Sequence, residues 1–316
     1  MSQSTESLLL DAYQHQKNGH PNQAIAIYQR ILNDASQHDK AVAHHLLANL
    51  YTSQNNDRDA LQHYRDAVHA RPDYMVAHYH LGLFLLKKQQ LAAAEKQFNN
   101  VLALHPEHIE AHFYLGLLHL NANRLDDAEH AFQHVLSLQE NHVFSLTNLG
   151  VIALKRDQGQ IAIDYFTKAL VFEPNHIEAR NNLAATFIHH DRFENALMHY
   201  GVLLDTDPSN IEYLYNSGVA QMTLGHLPEA IAHFEMILAQ NNQHFAALNN
   251  LAAIQMRLGH RTDAIALLER ALTANPTDSA TQFMLHALTG DEKHPTSSSE
   301  YVSHLFDNYA LYYDQH

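Results

Sequence analysis

Small and large apolar residues alternate along this chain with a period of 34 residues. Each period opens with Gly or Ala in one amphipathic segment, and a large apolar residue follows 16 positions later in a second segment. Apolar residues three and four apart indicate helices, so each period predicts two packed helices of about a dozen residues. The small positions are Ala12, Ala48, Gly82, Gly116, Gly150, Ala184, Gly218 and Ala252, and the large ones are Tyr28, Tyr64, Phe98, Phe132, Phe166, Tyr200, Phe234 and Leu268.

The periods divide the chain into helix-turn-helix repeats over residues 5–289, the last 11 of which predict a capping helix. Proline follows the second helix in five repeats, where it cannot continue a helix. A single repeat cannot bury its apolar face, so we expect neighbouring repeats to stack. The predicted repeats are residues 5–40, 41–74, 75–108, 109–142, 143–176, 177–210, 211–244 and 245–278, followed by the cap at 279–289, a polar linker at 290–299 and an amphipathic helix at 300–316.

This pattern resembles the tetratricopeptide repeat family, and the segment 77–108 carries its arrangement of small and large residues. The resemblance implies an all-α fold, a right-handed superhelix (α-solenoid) that binds protein or peptide ligands. The chain departs from the family in having no Trp, since residues such as His44, His78 and His112 stand at that position. The family tolerates this change.

Composition excludes several classes of protein. The chain has no Cys, a formal net charge of −15, and no Lys or Arg between Arg192 and Arg257. An acidic surface repels phosphate backbones, so we expect no nucleic-acid partner. The N-terminus lacks the features of a signal peptide and no apolar run is long enough to span a membrane, which predicts a cytoplasmic protein with no membrane partner.

Asparagine recurs two positions before the small residue in four successive repeats. In the resembled family the first helix of each repeat lines a concave groove, and an Asn amide can pair with both N–H and C=O groups of an extended peptide. The alternative is that duplication copied these residues without a binding role. The predicted groove residues are Asn148, Asn182, Asn216 and Asn250, their neighbours Asn181, Tyr215 and Asn249, and His80 and Tyr114 at the Asn position of earlier repeats.

Neither catalysis nor a bound ion is expected from these residues. Glycine-rich phosphate loops, GxSxG and HExxH motifs are missing from the sequence, so we expect no enzyme activity and no cofactor. His130 and His134 share one helix face, but the His residues that recur on successive repeats would lie about 8–10 Å apart. We therefore expect no metal site.

The segment 301–316 falls outside the repeat pattern and resembles the junction that joins tetratricopeptide repeats to a class I methyltransferase domain in bacterial proteins. This resemblance implies the N-terminal recruitment region of a larger S-adenosylmethionine-dependent methyltransferase. Two alternatives remain: a stand-alone interaction scaffold, or the solenoid of a glycosyltransferase similar to O-linked N-acetylglucosamine transferase, whose repeats carry similar asparagines.

Overall fold

A computed structural model describes residues 4–290, apart from the side chain of Asp34. These residues form 17 helices, and no strand occurs among them, which confirms the predicted all-α solenoid fold class. The predicted segment 300–316 and the linker after Gly290 lie outside the described residues. The helices are α1 (Thr5–Lys17), α2 (Pro21–Asp34), α3 (Gln37–Ser53), α4 (Asp57–Ala70), α5 (Met75–Lys87), α6 (Leu91–Leu104), α7 (Ile109–Asn121), α8 (Leu125–Leu138), α9 (Val143–Lys155), α10 (Gly159–Phe172), α11 (Ile177–His189), α12 (Phe193–Thr206), α13 (Ile211–Thr223), α14 (Leu227–Gln240), α15 (Phe245–Arg257), α16 (Arg261–Ala274) and α17 (Ser279–Thr289).

The helices belong to two compact units. The first unit ends at Asn148 and contains α1 to α8 with the start of α9, and the second begins at Leu149 and contains the remainder. Within each unit a helix packs mainly against the helices just before and after it in sequence. Each unit is therefore a stack of helical hairpins with a core that runs from repeat to repeat.

The core of each repeat depends on how closely its two helices approach. A Cβ atom added at Gly150 would lie 2.4 Å from Cε1 of Phe166, and the same addition at Gly82 would lie 2.8 Å from Phe98. Where the large residue is Tyr or Leu, the small one is Ala, as in Ala184 opposite Tyr200. The glycines of the sequence pattern therefore make room for a phenylalanine ring on the second helix of the same repeat.

The turn between the two helices repeats as faithfully as the core. One residue in each turn has a positive φ, which L-residues other than Asn and Asp seldom adopt. Glycine meets this demand in two of the later repeats, and Gln89 adopts the same conformation with φ 59°. The residues are Gly19, Asn55, Gln89, Asn123, Asp157, Asp191, Gly225 and Gly259.

Histidine occupies the N-cap position, just before the first helix, in several repeats. The Nδ1 atom of His108 accepts a hydrogen bond from the backbone N–H of Ala111 at 3.2 Å, and so caps the helix. The same bond recurs in later repeats, which gives part of the large histidine content a structural role. The further histidine caps are His142, His176 and His244.

Candidate functional site

The predicted groove residues of the second unit lie on the first helices of three successive repeats, α11, α13 and α15. Asn182 and Asn216 are half-buried, whereas Asn250 is only 5% exposed. Their positions along the helices correspond, yet their accessibility differs. The three asparagines therefore offer different surfaces to a ligand.

Two of these asparagines bond to tyrosines of the preceding repeat. The Nδ2 atom of Asn216 donates to the hydroxyl of Tyr200 at 3.0 Å. Asn250 donates in the same way to the hydroxyl of Tyr215 at 3.3 Å. Each bond ties one repeat to the one before it, so these amides stabilise the stack with one of their two N–H groups.

The asparagines one position earlier, Asn181 and Asn249, bond to the following repeat or to the capping helix. Asn181 donates to the carboxylate of Glu212 in the next repeat at 3.0 Å, and the Oδ1 atom of Asn249 accepts from the hydroxyl of Thr281 at 3.1 Å. Two buried atoms, Oδ1 of Asn181 and Nδ2 of Asn249, have no hydrogen-bond partner among residues 4–290. A buried polar atom without a partner costs about 1–3 kcal/mol, so these two atoms make the packing of this face less favourable than it would be with both bonded.

Asn182 is the member of the row that is most available to a ligand. Its side chain is half-buried, and the amide makes no hydrogen bond to any other side chain or backbone group that the structure describes. Asn181 precedes Asn182 in the chain. The amide of Asn182 therefore presents two N–H donors and one C=O acceptor on the face that the first helices of the repeats form in the second unit.

The first unit carries aromatic residues in place of the asparagines. Tyr114 stacks on Phe98 with ring centroids 5.3 Å apart and also contacts Tyr79. Asn148, the last residue of this unit, donates its amide to the backbone carbonyl of Phe144 at 2.8 Å. This face is thus largely a packed aromatic surface, in which the predicted residue Tyr114 serves as a core contact.

His80 belongs to a buried polar network that sequence reasoning missed. Its Nδ1 atom lies 2.5 Å from Nε2 of His45, and the two rings stack with centroids 4.8 Å apart. Burial and the neighbouring His80 lower the pKa of His45 to about 4, so this ring is neutral at pH 7. Asn49 and Tyr74 complete its hydrogen bonds. The only sequence signal was that His45 and His80 stand 35 residues apart, one repeat and one position.

The histidine pair of α8, His130 and His134, lies near a third histidine on the other helix of its repeat. His134 lies against His112 of the first helix of its repeat, with ring centroids 4.1 Å apart, and His130 lines the same shallow surface. The contacts between histidines therefore lie between the two helices of one repeat, which spacing along a single helix does not reveal.

Comparison with protein families assigns most of the chain. Residues 2–202 match the family model described as the Cilia and flagella-associated protein 70 C-terminal domain, and residues 221–288 match the model described as Tetratricopeptide repeat. No curated protein matches the chain. No helix within residues 4–290 has the length and apolar character to cross a membrane.

Solved structures share the fold at low sequence identity. PilF of Pseudomonas aeruginosa is 17% identical, with a TM-score of 0.56 over 65% of this chain and 94% of its own. A tetratricopeptide repeat protein of Parabacteroides merdae is 15% identical, with a TM-score of 0.55 over 81% of this chain and 99% of its own. YrrB, described as having an unusual peptide-binding site, is 18% identical, with a TM-score of 0.51 over 58% of this chain and 95% of its own. At these identities the likeness concerns the fold alone.

Proposed function

The chain belongs to the tetratricopeptide repeat family, through the model of the Cilia and flagella-associated protein 70 C-terminal domain, and we propose that it is a scaffold whose second unit binds an extended polypeptide on the first-helix face. The observation that carries this proposal is the amide of Asn182, which has no bonding partner among the described residues. Asn216, on the first helix of the next repeat, is half-buried and uses its amide nitrogen to bond Tyr200, which leaves its Oδ1 atom as an acceptor for ligand N–H groups.

The chemistry of this face favours a backbone-directed contact. An amide pairs with peptide N–H and C=O groups whatever side chains the peptide carries, so sequence preference is broad. Each net hydrogen bond contributes about 0.5–1.5 kcal/mol, and the ligand loses conformational entropy when it becomes ordered. The affinity of such a groove is modest.

The charge of the surroundings favours a basic ligand. Glu212 lies beside Asn181, and the segment from Phe193 to Met256 contains no Lys or Arg. Arg180 lies on the same helix as Asn182, but its guanidinium is bonded to His199 and to the carbonyl of Pro174. A peptide with Lys or Arg gains Coulomb attraction here that salt screens. Binding should therefore weaken as the salt concentration rises.

A selection from a random peptide library, followed by fluorescence anisotropy with the best peptides, tests this proposal. We expect enrichment of extended basic peptides, and Asn182→Ala to weaken their binding about tenfold if two hydrogen bonds are lost. The matched control is Asn99→Ala, because Asn99 is an exposed asparagine on a second helix. Equal affinity for wild type and Asn182→Ala would contradict the proposal.

The association with a methyltransferase is a separate and finer proposal. Only the resemblance of residues 301–316 supports it, and these lie outside the described part of the chain. The reading frame after His316 tests it directly: a strand, a glycine-rich turn and a helix are expected. We also propose a cytoplasmic location, from the sequence features described above, and microscopy of the tagged chain tests it.

A further inference from the structure

The second repeat, residues 41–74, brings together three side chains that ligate metals in proteins. His44 lies on α3, and His63 and Asp66 lie one turn apart on α4. The two Nδ1 atoms are 2.8 Å apart, and Nδ1 of His44 is 4.0 Å from Oδ2 of Asp66. All three ligand atoms lie within 4.8 Å of one another, and residues 4–290 contain no other such group of three.

Two of these side chains are oriented by neighbours that leave the ligand atoms facing inward. Gln62 donates to Oδ1 of Asp66 at 2.9 Å, so the other carboxylate oxygen is the one directed at His44. The ring of Tyr51 stacks on His63, with centroids 5.5 Å apart and planes 6° from parallel. Outer groups of this kind fix the orientation of metal ligands in known sites.

The following repeat provides an internal comparison at the same three positions, 34 residues on. There His78 corresponds to His44, so the histidine of the first helix is kept. On the second helix, the positions of His63 and Asp66 are occupied by Gln97 and Asn100. Nδ1 of His78 donates to the amide oxygen of Gln97 at 2.7 Å, and its Nε2 lies 2.9 Å from the carbonyl of Pro72. The equivalent helices of the third repeat thus hold one imidazole hydrogen-bonded to amide side chains. The second repeat carries two imidazoles and a carboxylate at the same positions.

We propose that His44, His63 and Asp66 bind a divalent transition-metal ion of the Zn²⁺ type, with a fourth position open to water or to a ligand from a partner. Imidazole nitrogen suits such ions, while Ca²⁺ and Mg²⁺ require oxygen ligands. Bonds of 2.0–2.1 Å in tetrahedral geometry separate two ligand atoms by about 3.3 Å. The two imidazoles, now 2.8 Å apart, therefore move apart on binding, and the Asp66 oxygen, now 4.0 Å from His44, moves closer.

The charged surroundings are mixed. Asp59 lies near His63 and favours a cation, whereas Lys40 lies near His44 and opposes it. The side chains of His44 and Asp66 are 19% and 36% exposed, so an ion can reach the site from solvent. Spacing on a single helix gave no sign of this group, because His44 and His63 are 19 residues apart on different helices.

Calorimetric titration of the chelator-treated full chain with ZnCl₂ tests the proposal, with circular dichroism to check folding. The decisive variant is His63→Gln with Asp66→Asn, which installs the set that the third repeat already accommodates. We expect one saturable site in the wild type and at least tenfold weaker binding in this double variant. Visible absorption of bound Co²⁺ should show tetrahedral bands in the wild type that the double variant lacks.

The matched control is His130→Gln with His134→Gln, which removes a histidine pair elsewhere and should leave the affinity unchanged. Unchanged Zn²⁺ affinity in the His63/Asp66 variant, or loss of binding in the control variant instead, would overturn the proposal. Absence of saturable binding in the wild type would do the same. None of these outcomes depends on whether the second unit binds peptides.

Discussion

The amide nitrogen of Asn250 lies 3.3 Å from the hydroxyl of Tyr215, one repeat earlier, and the Asn250 side chain is almost fully buried. Asn182, at the corresponding position two repeats earlier, has no such bond within the described residues. One sequence position therefore has two physical roles. In one repeat the asparagine links helices, and in the other its amide is available to a ligand.

Alanine substitution should separate these roles. We expect Asn250→Ala to lower the free energy of unfolding by about 0.5–1.5 kcal/mol, because a buried hydrogen bond is lost. Asn182→Ala should leave stability unchanged or raise it by up to about 0.7 kcal/mol, since Ala is the better helix former. Urea unfolding followed by circular dichroism measures both. Equal destabilisation by the two changes would show that Asn182 also has a structural role.

The contact of Gly150 with Phe166 predicts an unusual response to alanine. A Cβ atom at Gly150 meets the ring at 2.4 Å, so we expect Gly150→Ala to destabilise the fold by about 1–3 kcal/mol through overpacking. The control is Gly201→Ala, because Gly201 is an exposed helical glycine with nothing within 4 Å of an added Cβ. That change should stabilise by about 0.5–1 kcal/mol. Thermal unfolding in which both variants shift in the same direction would refute the packing argument.

The turn at Gln89 should be improved by glycine. Its φ of 59° costs an L-residue about 1–2 kcal/mol, part of which glycine regains despite its greater freedom in the unfolded chain. Gly225 and Gly259 already hold the equivalent position. We therefore expect Gln89→Gly to raise the midpoint of urea unfolding. The control is Gln133→Gly, within a helix, which should lower the free energy of unfolding by about 1 kcal/mol. A loss of stability in both variants would contradict the prediction.

The stability of the second unit should fall in mild acid, partly through His199. Burial and the nearby charge of Arg180 lower its pKa below the ordinary 6.5, and Nη1 of Arg180 donates to its Nδ1 at 3.3 Å. The folded state binds a proton less readily than the unfolded state, so the stabilisation is complete above about pH 6.5 and decreases as the pH falls below it.

His199→Gln checks this assignment, because Gln keeps an acceptor for Arg180 and does not titrate. Urea midpoints at pH 7.5 and pH 5.0 should differ less in the variant than in the wild type. An identical difference in both proteins would show that His199 contributes nothing to the acid sensitivity.

Much of the fold could be predicted from the sequence because the same contacts between core residues recur in every repeat. Gly82 and Phe98 recur as Gly116 and Phe132, so a single contact is observed several times over. Periodicity of 34 residues fixes which positions face the core, and local turn chemistry fixes where helices end. The positive φ of Gln89 was not predicted, since Gln carries no signal for that conformation.

The sequence by itself determined the class of fold, the pairing of small with large core residues, and the position of the asparagine row on the first helices. Only the tertiary structure decided what each polar side chain bonds to. His44 meets His63 across 19 residues, and Asn250 meets Tyr215 across 35. Such partners depend on how two helices are rotated and spaced against each other, because a shift of less than the length of a hydrogen bond is enough to break the contact. A repeat period fixes the register of core positions but leaves that rotation to the packing of the whole stack.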